Sequence, residues 1–204
     1  MDKESFMTQQ RQTSIHRKTS ETDIQLTLNI DGSGKSNINT GIGFFDHMLT
    51  ALSKHSLFDL DLIVKGDLHI DDHHSVEDTG IALGQAFRQV IGDKKGICRF
   101  GQATVPLDEA LSEVIIDISG RPYLAWDVPF PTQKIGQMDT ELFEEFFRGF
   151  VMSAHINLHA IRRAGRNSHH IAEATFKATA RALRSACEFD MRALNNIPST
   201  KGVL

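Results

Sequence analysis

The sequence predicts an α+β fold made by tandem duplication of a sheet-plus-two-helix half-domain. Three observations predict it. First, His73-His74-Ser75-Val76-Glu77 and His169-His170-Ile171-Ala172-Glu173 share the pattern H-H-x-x-E, offset by nearly half of a 204-residue chain. Second, each motif is preceded by a stretch with apolar residues at helical spacing: Phe44, Phe45, Met48, Leu49 and Leu52 in one, and Leu142, Phe143, Phe146, Phe147, Phe150 and Val151 in the other. Third, an apolar/polar alternating run lies between stretch and motif: Phe58-Asp59-Leu60-Asp61-Leu62, and Ile156-Asn157-Leu158-His159. Such alternation reads as a strand with one buried face.

The elements follow in order. Residues 22–30 and 36–40 read as strands flanking a turn, ahead of the first helix. The alternating run then leads through Gly66 to a second helix over 76–91, which buries Ile81, Leu83, Phe87 and Val90. A polar hinge, Gly92-Asp93-Lys94-Lys95-Gly96, separates the halves. Strands at 100–107, 111–118 and 123–128 precede the third helix. The next strand passes through Gly165 to a helix over 171–187, which buries Phe176, Ala180, Leu183 and Cys187. Asp72 and Ser168 stand where N-caps belong. The boundaries are then 1–93 for the first half, 94–190 for the second and 191–204 for a tail too polar and Gly/Pro-punctuated to be helical. The Phe-rich stripe of Phe143, Phe146 and Phe147 reads as core.

Composition excludes several function classes. With 40% hydrophobic and 24% charged residues, the chain can bury a core and is not of disordered type. The opening residues 1–18 are polar, so no secretion signal is expected, and no window reaches the ~18 apolar residues of a membrane span. Cys98 and Cys187 are expected to be core thiols in a reducing compartment, which places the protein in the cytoplasm. A net charge of −4 argues against a general nucleic-acid binder.

The doubled motif points to metal. Successive helical residues project about 100° apart, so His73 and Glu77 point almost together whereas adjacent His73 and His74 do not. Each histidine of a pair therefore faces a different ion. Two such helices brought together would build two sites, each drawing on both halves. Imidazole mixed with carboxylate suits Mn, Fe, Co or Zn. His47 and Glu145 occupy similar places on the equivalent upstream helices and complete eight donors: His47, His73, His74, Glu77, Glu145, His169, His170 and Glu173. Four protein ligands per ion leave positions open for substrate. His16, His69, His155 and His159 have no repeat partner and read as surface or packing residues.

Other motifs fall away. Asp31-Gly32-Ser33-Gly34-Lys35-Ser36 lacks the first glycine of a phosphate loop, since Asn29 stands there, and reads as a hairpin turn. Zinc-protease patterns are absent: there is no H-E-x-x-H, and Asp78 follows Glu77. No Ser/His/Asp order or Cys-x-x-Cys site stands out.

At this point the sequence resembles a known family. Phe45-Asp46-His47-Met48-Leu49, Asp72-His73-His74-Ser75-Val76-Glu77-Asp78, Asp117-Ile118-Ser119-Gly120-Arg121-Pro122-Tyr123 and the segment from Asn167 to Ala178 resemble the signatures of imidazoleglycerol-phosphate dehydratases. The likeness runs from about Arg17 to Ser199-Thr200-Lys201-Gly202-Val203. It implies a duplicated fold like ribosomal protein S5 domain 2, two Mn²⁺ ions per active site, and a homo-oligomer of 24 subunits with sites at subunit contacts. The family's ligands fall on His47, His73, His74, Glu77, His169, His170 and Glu173, and many members carry histidine where Glu145 stands. Substrate contacts carry over to Glu21, His55, Arg99, Arg121, Lys177, Ser199 and Lys201, whereas Ala51 replaces a glutamine contact of some members.

The implied reaction is dehydration of imidazole glycerol phosphate to imidazole acetol phosphate in histidine biosynthesis. The proton to be lost is not next to a carbonyl and is only weakly acidic. Metal stabilisation of a substrate imidazolate, expulsion of hydroxide to a diazafulvene-like species and proton removal would overcome this. Glu21 is the first candidate for proton transfer, with His55 assisting or holding a water. Arg99, Arg121, Lys177 and Lys201 supply the cations a phosphate needs. Two other readings share the histidine clusters: a metal-storage protein, and a two-metal phosphatase or other hydrolase.

Overall fold

A computed structural model describes residues 11–204. The first half runs β1 (Gln12–Lys18), β2 (Thr22–Asn29), β3 (Ser36–Asn39), α1 (Gly43–Ser56), β4 (Asp59–Gly66) and α2 (His73–Ile91). The second runs β5 (Phe100–Leu107), β6 (Ala110–Asp117), β7 (Tyr123–Asp127), a short hairpin of β8 (Lys134–Ile135) and β9 (Met138–Asp139), α3 (Leu142–Ala154), β10 (Asn157–Ala164) and α4 (Ser168–Cys187).

The two sheets repeat one topology, β1-β2-β4-β3 and β5-β6-β10-β7. In each the first three neighbours are antiparallel and the last pair is parallel. Period-two burial explains why these residues form strands: Ile24, Leu26 and Leu28 of β2, and Leu60, Leu62 and Val64 of β4, point inward. Leu26 pairs with Leu62 across the first sheet, and Val114 with Ala160 across the second. Both upstream helices end on a non-glycine residue in the left-handed region, Leu57 (φ 63°) after α1 and His155 (φ 56°) after α3, a further trace of the duplication.

The helices pack between the sheets, α2 against α3 and α1 against α4, so each half packs on the other. One core runs through both halves. Phe45 of α1 meets Phe146 of α3 edge-on at 5.3 Å, and Phe146 stacks on Phe176 of α4 at 5.5 Å. Where α2 crosses α3, glycines let the backbones touch: a Cβ at Gly80 would lie 2.3 Å from the Phe146 carbonyl oxygen. The tail, residues 191–204, forms turns and returns to the linker, with Gly96 N–H donating to the Asn196 carbonyl at 2.9 Å.

Several local expectations need correction. The segment 31–35 is not a hairpin turn, because β3 pairs in parallel with β4 and β2 lies on the far side of β4. It wraps the Asp59 carboxylate, which accepts from Ser33 and Lys35 N–H at 2.8 Å each. Ser168 begins α4 but does not cap it; Asn167 does, accepting from His169 and His170 N–H. Asp72 holds the N-cap position of α2 without a side-chain bond, and Asp71 accepts from His73 N–H instead. Cys187 is buried but Cys98 is exposed, since it lies on the linker rather than a buried helix face. Ile81 is only half-buried. Strand β1 was hidden in the polar opening; its alternating exposure carries few apolar residues, as an edge strand permits. The first ten residues of that opening lie outside the described residues.

Candidate metal centre

Among the described residues, one cluster of candidate ligands forms, between α1 and α4. His47 Nε2 lies 3.2 Å, and His169 Nε2 3.1 Å, from the same oxygen of Glu173, Oε2. Donor atoms of these three residues all fall within 4.8 Å of one another. Helical spacing places His169 and Glu173, four apart, on one face, and the α1–α4 packing delivers His47 from the other half. Phe44 walls the cluster, edge-on to His169 at 5.0 Å. Lys177, one turn beyond Glu173, holds its other oxygen at 2.5 Å. Burial would raise the Glu173 carboxyl, but Lys177, His169 and His47 outweigh it and hold it down at about 2. It is thus an ionised carboxylate between two imidazoles, a donor set suited to a divalent first-row ion.

The equivalent residues of the other half, His73, Glu77 and Glu145, are more loosely arranged. His73 Nε2 is 3.7 Å from Glu77 Oε2, and Glu145 lies 3.6 Å from Arg148 Nε. The second histidine of each pair turns away from the first, with ring planes 88° apart for His73 and His74 and 84° for His169 and His170. This is the divergence expected of adjacent helical residues. The two H-H-x-x-E helices do not converge, however: α2 packs on α3, and α4 on α1. What each motif meets is the upstream helix of the other half.

His74 and His170 are instead held by carboxylates the sequence reading passed over. His74 Nδ1 is 2.9 Å from Asp67 Oδ2, and His170 Nδ1 is 2.7 Å from Glu109 Oε2. These bonds raise the two imidazole pKa values, and the one from His170 leads in lowering Glu109 to about 2. Asp67 follows the Gly66 turn; its place seven residues before His74 was the only available signal. Glu109 lies far away in sequence, on the β5–β6 turn, and had none. Each outward histidine also sees a second carboxylate from a β-turn: Glu21 at 3.8 Å from His74 Nε2, and Asp108 at 3.8 Å from His170 Nε2.

The remaining candidates are spread. His55, half-buried at the end of α1, has its pKa lowered by burial first and by Lys177 and Arg181 next. Arg99 grips Asp117 with two bonds, 2.7 and 3.1 Å, and donates to the Pro198 carbonyl at 2.7 Å. The Arg121 side chain donates to its neighbour, the Ser119 carbonyl, at 3.5 Å. Ser199 Oγ accepts from Lys201 N–H at 3.2 Å within the tail. The chain therefore brings Lys177 and His55 to the Glu173 cluster, Glu21 to His74, and Arg99 to the tail. It does not gather all of them around one point.

The chain is similar in sequence and fold to known proteins. The family model for imidazoleglycerol-phosphate dehydratase matches residues 40–183. The imidazoleglycerol-phosphate dehydratase of Gluconacetobacter diazotrophicus is 71% identical over 95% of this chain and 98% of its own length. That of Gluconobacter oxydans is 67% identical over 97% of this chain and all of its own. The crystal structure of the Staphylococcus aureus enzyme superposes with a TM-score of 0.80 at 41% identity, covering 88% of this chain and 99% of that one. The Pyrococcus furiosus enzyme, solved in complex with (S)-C348, gives 0.80 at 36% identity over 93% and 100%. With the duplicated architecture and the paired histidine motifs, these matches establish that the chain belongs to the imidazoleglycerol-phosphate dehydratase family, a family of hydro-lyases.

Proposed function

We propose that this protein dehydrates D-erythro-imidazole glycerol phosphate to imidazole acetol phosphate in histidine biosynthesis, using two Mn²⁺ ions per active site. The observation that carries the reading is the His47–His169–Glu173 cluster with Lys177 behind it: a preformed set of imidazole and carboxylate donors beside a cation. Held by these imidazoles and carboxylates, the ions would supply charge stabilisation for the substrate's imidazole ring, the chemistry that loss of hydroxide from the adjacent carbon requires.

The chain's own residues do the rest. His47, His73, His74, Glu77, Glu145, His169, His170 and Glu173 are the proposed ligands, Glu145 replacing the histidine of many members. Glu21 is the proposed proton-transfer residue, a reading supported by its carboxylate lying 3.8 Å from His74 Nε2. His55 is the second proton-transfer candidate, because burial and the nearby cations favour its neutral, proton-accepting form. Lys177, Arg99, Arg121, Ser199 and Lys201 bind the phosphate, and the tail, 191–204, contributes the last two.

Glu21 meets His74 at the start of α2, which packs on α3, whereas Lys177 and Glu173 lie on α4, which packs on α1. A single centre using all of them draws on neighbouring copies, which supports sites at subunit contacts; the proposed assembly is a homo-oligomer of 24 subunits. The halves are bounded at 93 and 190, and the cytoplasm is the proposed compartment. No helix among the described residues is long and apolar enough to cross a membrane.

The test is turnover of imidazole glycerol phosphate by chelator-treated protein before and after adding Mn²⁺. Loss and recovery of activity is the expected result. No turnover in either state, with metal demonstrably bound, would sink the dehydratase reading in favour of storage or hydrolysis.

A further inference from the structure

We infer that Asp67 and Glu109 are positioning residues for metal binding: each fixes the ring of an outward histidine, His74 or His170, so that Nε2 is presented to the ion. The inference rests on the Mn²⁺ reading above and concerns residues that neither bind metal nor touch substrate in that reading.

The geometry is the same in both halves. A carboxylate oxygen engages Nδ1, at 2.9 Å in one half and 2.7 Å in the other. A neutral imidazole that donates through Nδ1 carries its lone pair on Nε2, so the bond sets the tautomer as well as the ring's orientation. In both cases Nε2 remains outside hydrogen-bond distance of any carboxylate among the described residues, 3.8 Å from Glu21 or Asp108.

The two carboxylates occupy non-equivalent positions. Asp67 leads from β4 toward α2, while Glu109 sits on the hairpin between β5 and β6. The duplicated position of a residue would explain a shared contact without further cause. Here the contact recurs while the residue supplying it does not, which points to a requirement on the histidine rather than an inherited accident.

Each carboxylate is also built in. Asp67 Oδ1 is buried with no hydrogen-bond partner among the described residues, an arrangement that costs stability. Glu109 uses its other oxygen to accept from Arg166 and Asn167 N–H, at 3.0 and 2.8 Å. Asn167 in turn caps the helix that carries His169 and His170. Glu109 thus fixes the helix start and the ring together.

The test is a Mn²⁺ titration of chelator-treated, full-length protein, followed by the electron paramagnetic resonance signal of free Mn²⁺. The variants are Asp67→Ala, Asp67→Asn, Glu109→Ala and Glu109→Gln. Asp23→Ala serves as control, because Asp23 holds His16 at 2.8 Å in a similar pair away from the cluster. Loss of an outer carboxylate should weaken metal binding by roughly 10–100-fold. The isosteric amides, which keep an acceptor, should recover most of that loss, a rescue that a merely structural disturbance would not show. Asp23→Ala should bind as wild type does.

Wild-type affinity in both alanine variants overturns the inference, as does an equal loss in the Asp23 control. Should the alanine variants fail to fold, the amides decide: a few-fold loss supports the inference and none overturns it. Wild-type protein that binds no Mn²⁺ refutes the metal reading itself and is recognised separately.

Discussion

The α2–α3 crossing gives the sharpest test of the packing argument, through Gly80→Ala. In a helix interior the change is favourable by about 1 kcal/mol on propensity alone. The structure opposes it. The new Cβ would stand 2.3 Å from the Phe146 carbonyl oxygen and 3.2 Å from Phe150 N, whereas carbon–oxygen contacts normally start near ~3.3 Å. Both obstacles are backbone, so no side chain can swing aside and the helices must separate by about an ångström. Overpacking of this kind costs about 1–3 kcal/mol, and Phe146 and Phe150 lie in the shared core, which raises the cost toward the upper end.

The net expectation is a loss of about 1–2 kcal/mol, or roughly 2–8 °C in Tm for a chain of this size. Gly43→Ala is the counter-case. It is the first residue of α1, and nothing lies within 4 Å of its added Cβ. That change should leave Tm unchanged or raise it slightly. Thermal unfolding at fixed protein concentration, metal-free, reads both. A Gly80→Ala protein as stable as wild type would falsify the claim that backbone contact, rather than side-chain packing, sets this crossing.

Three further outcomes are expected. Lys177→Ala should raise KM for imidazole glycerol phosphate roughly tenfold or more, the scale of one charge-assisted bond; an unchanged KM removes Lys177 from the phosphate site. Glu109 has its pKa depressed from 4.5 to about 2 in the folded protein, so it contributes stability that is present above pH 4.5 and lost as pH falls through 2. Urea midpoints of metal-free Glu109→Gln should accordingly depend less on pH across that window than those of wild type; identical slopes refute the assignment. Arg99→Lys gives up the fork that joins Asp117 to the Pro198 carbonyl. Amide exchange in residues 191–204 should then accelerate by about tenfold, and unaltered exchange would mean that the tail is held elsewhere.

The repeat was legible because it is written in periodicity, which survives divergence: β4 and β10 alternate, α1 and α3 carry apolar stripes, and the histidine motifs sit at the same point in each half. The divergence of the paired histidines was legible because helical geometry fixes their directions without tertiary information. What escaped was set by partners distant in sequence. Strand β1 gains its place by pairing with β2, residue by residue from Gln12 opposite Asn29, and its own residues are mostly polar. The segment 31–35 looked like a hairpin because two short alternating runs flank it, yet β4 intervenes between them in the sheet. Asn167 rather than Ser168 caps α4, a one-residue shift that propensity alone does not resolve. Glu109 meets His170 across 61 residues.

The two halves also show how duplication leads to an unequal pair of half-sites. In both, an H-H-x-x-E helix faces the upstream helix of the opposite half, so the architecture offers two equivalent places for a cluster. At one, His47 joins His169 and Glu173, and Lys177 neutralises the carboxylate from behind. At the other, Glu145 stands where an imidazole would match, and His73 meets Glu77 only at 3.7 Å. Arg148 draws Glu145 toward itself, within 3.6 Å. The first cluster is therefore held together by its own charges, whereas the second is held only by the longer His73–Glu77 contact. If both bind Mn²⁺, the one built on Glu173 should fill first. Titration of a His47→Ala variant decides this: losing the tighter class of ions is the expected result, and losing only the weaker class would reverse the order.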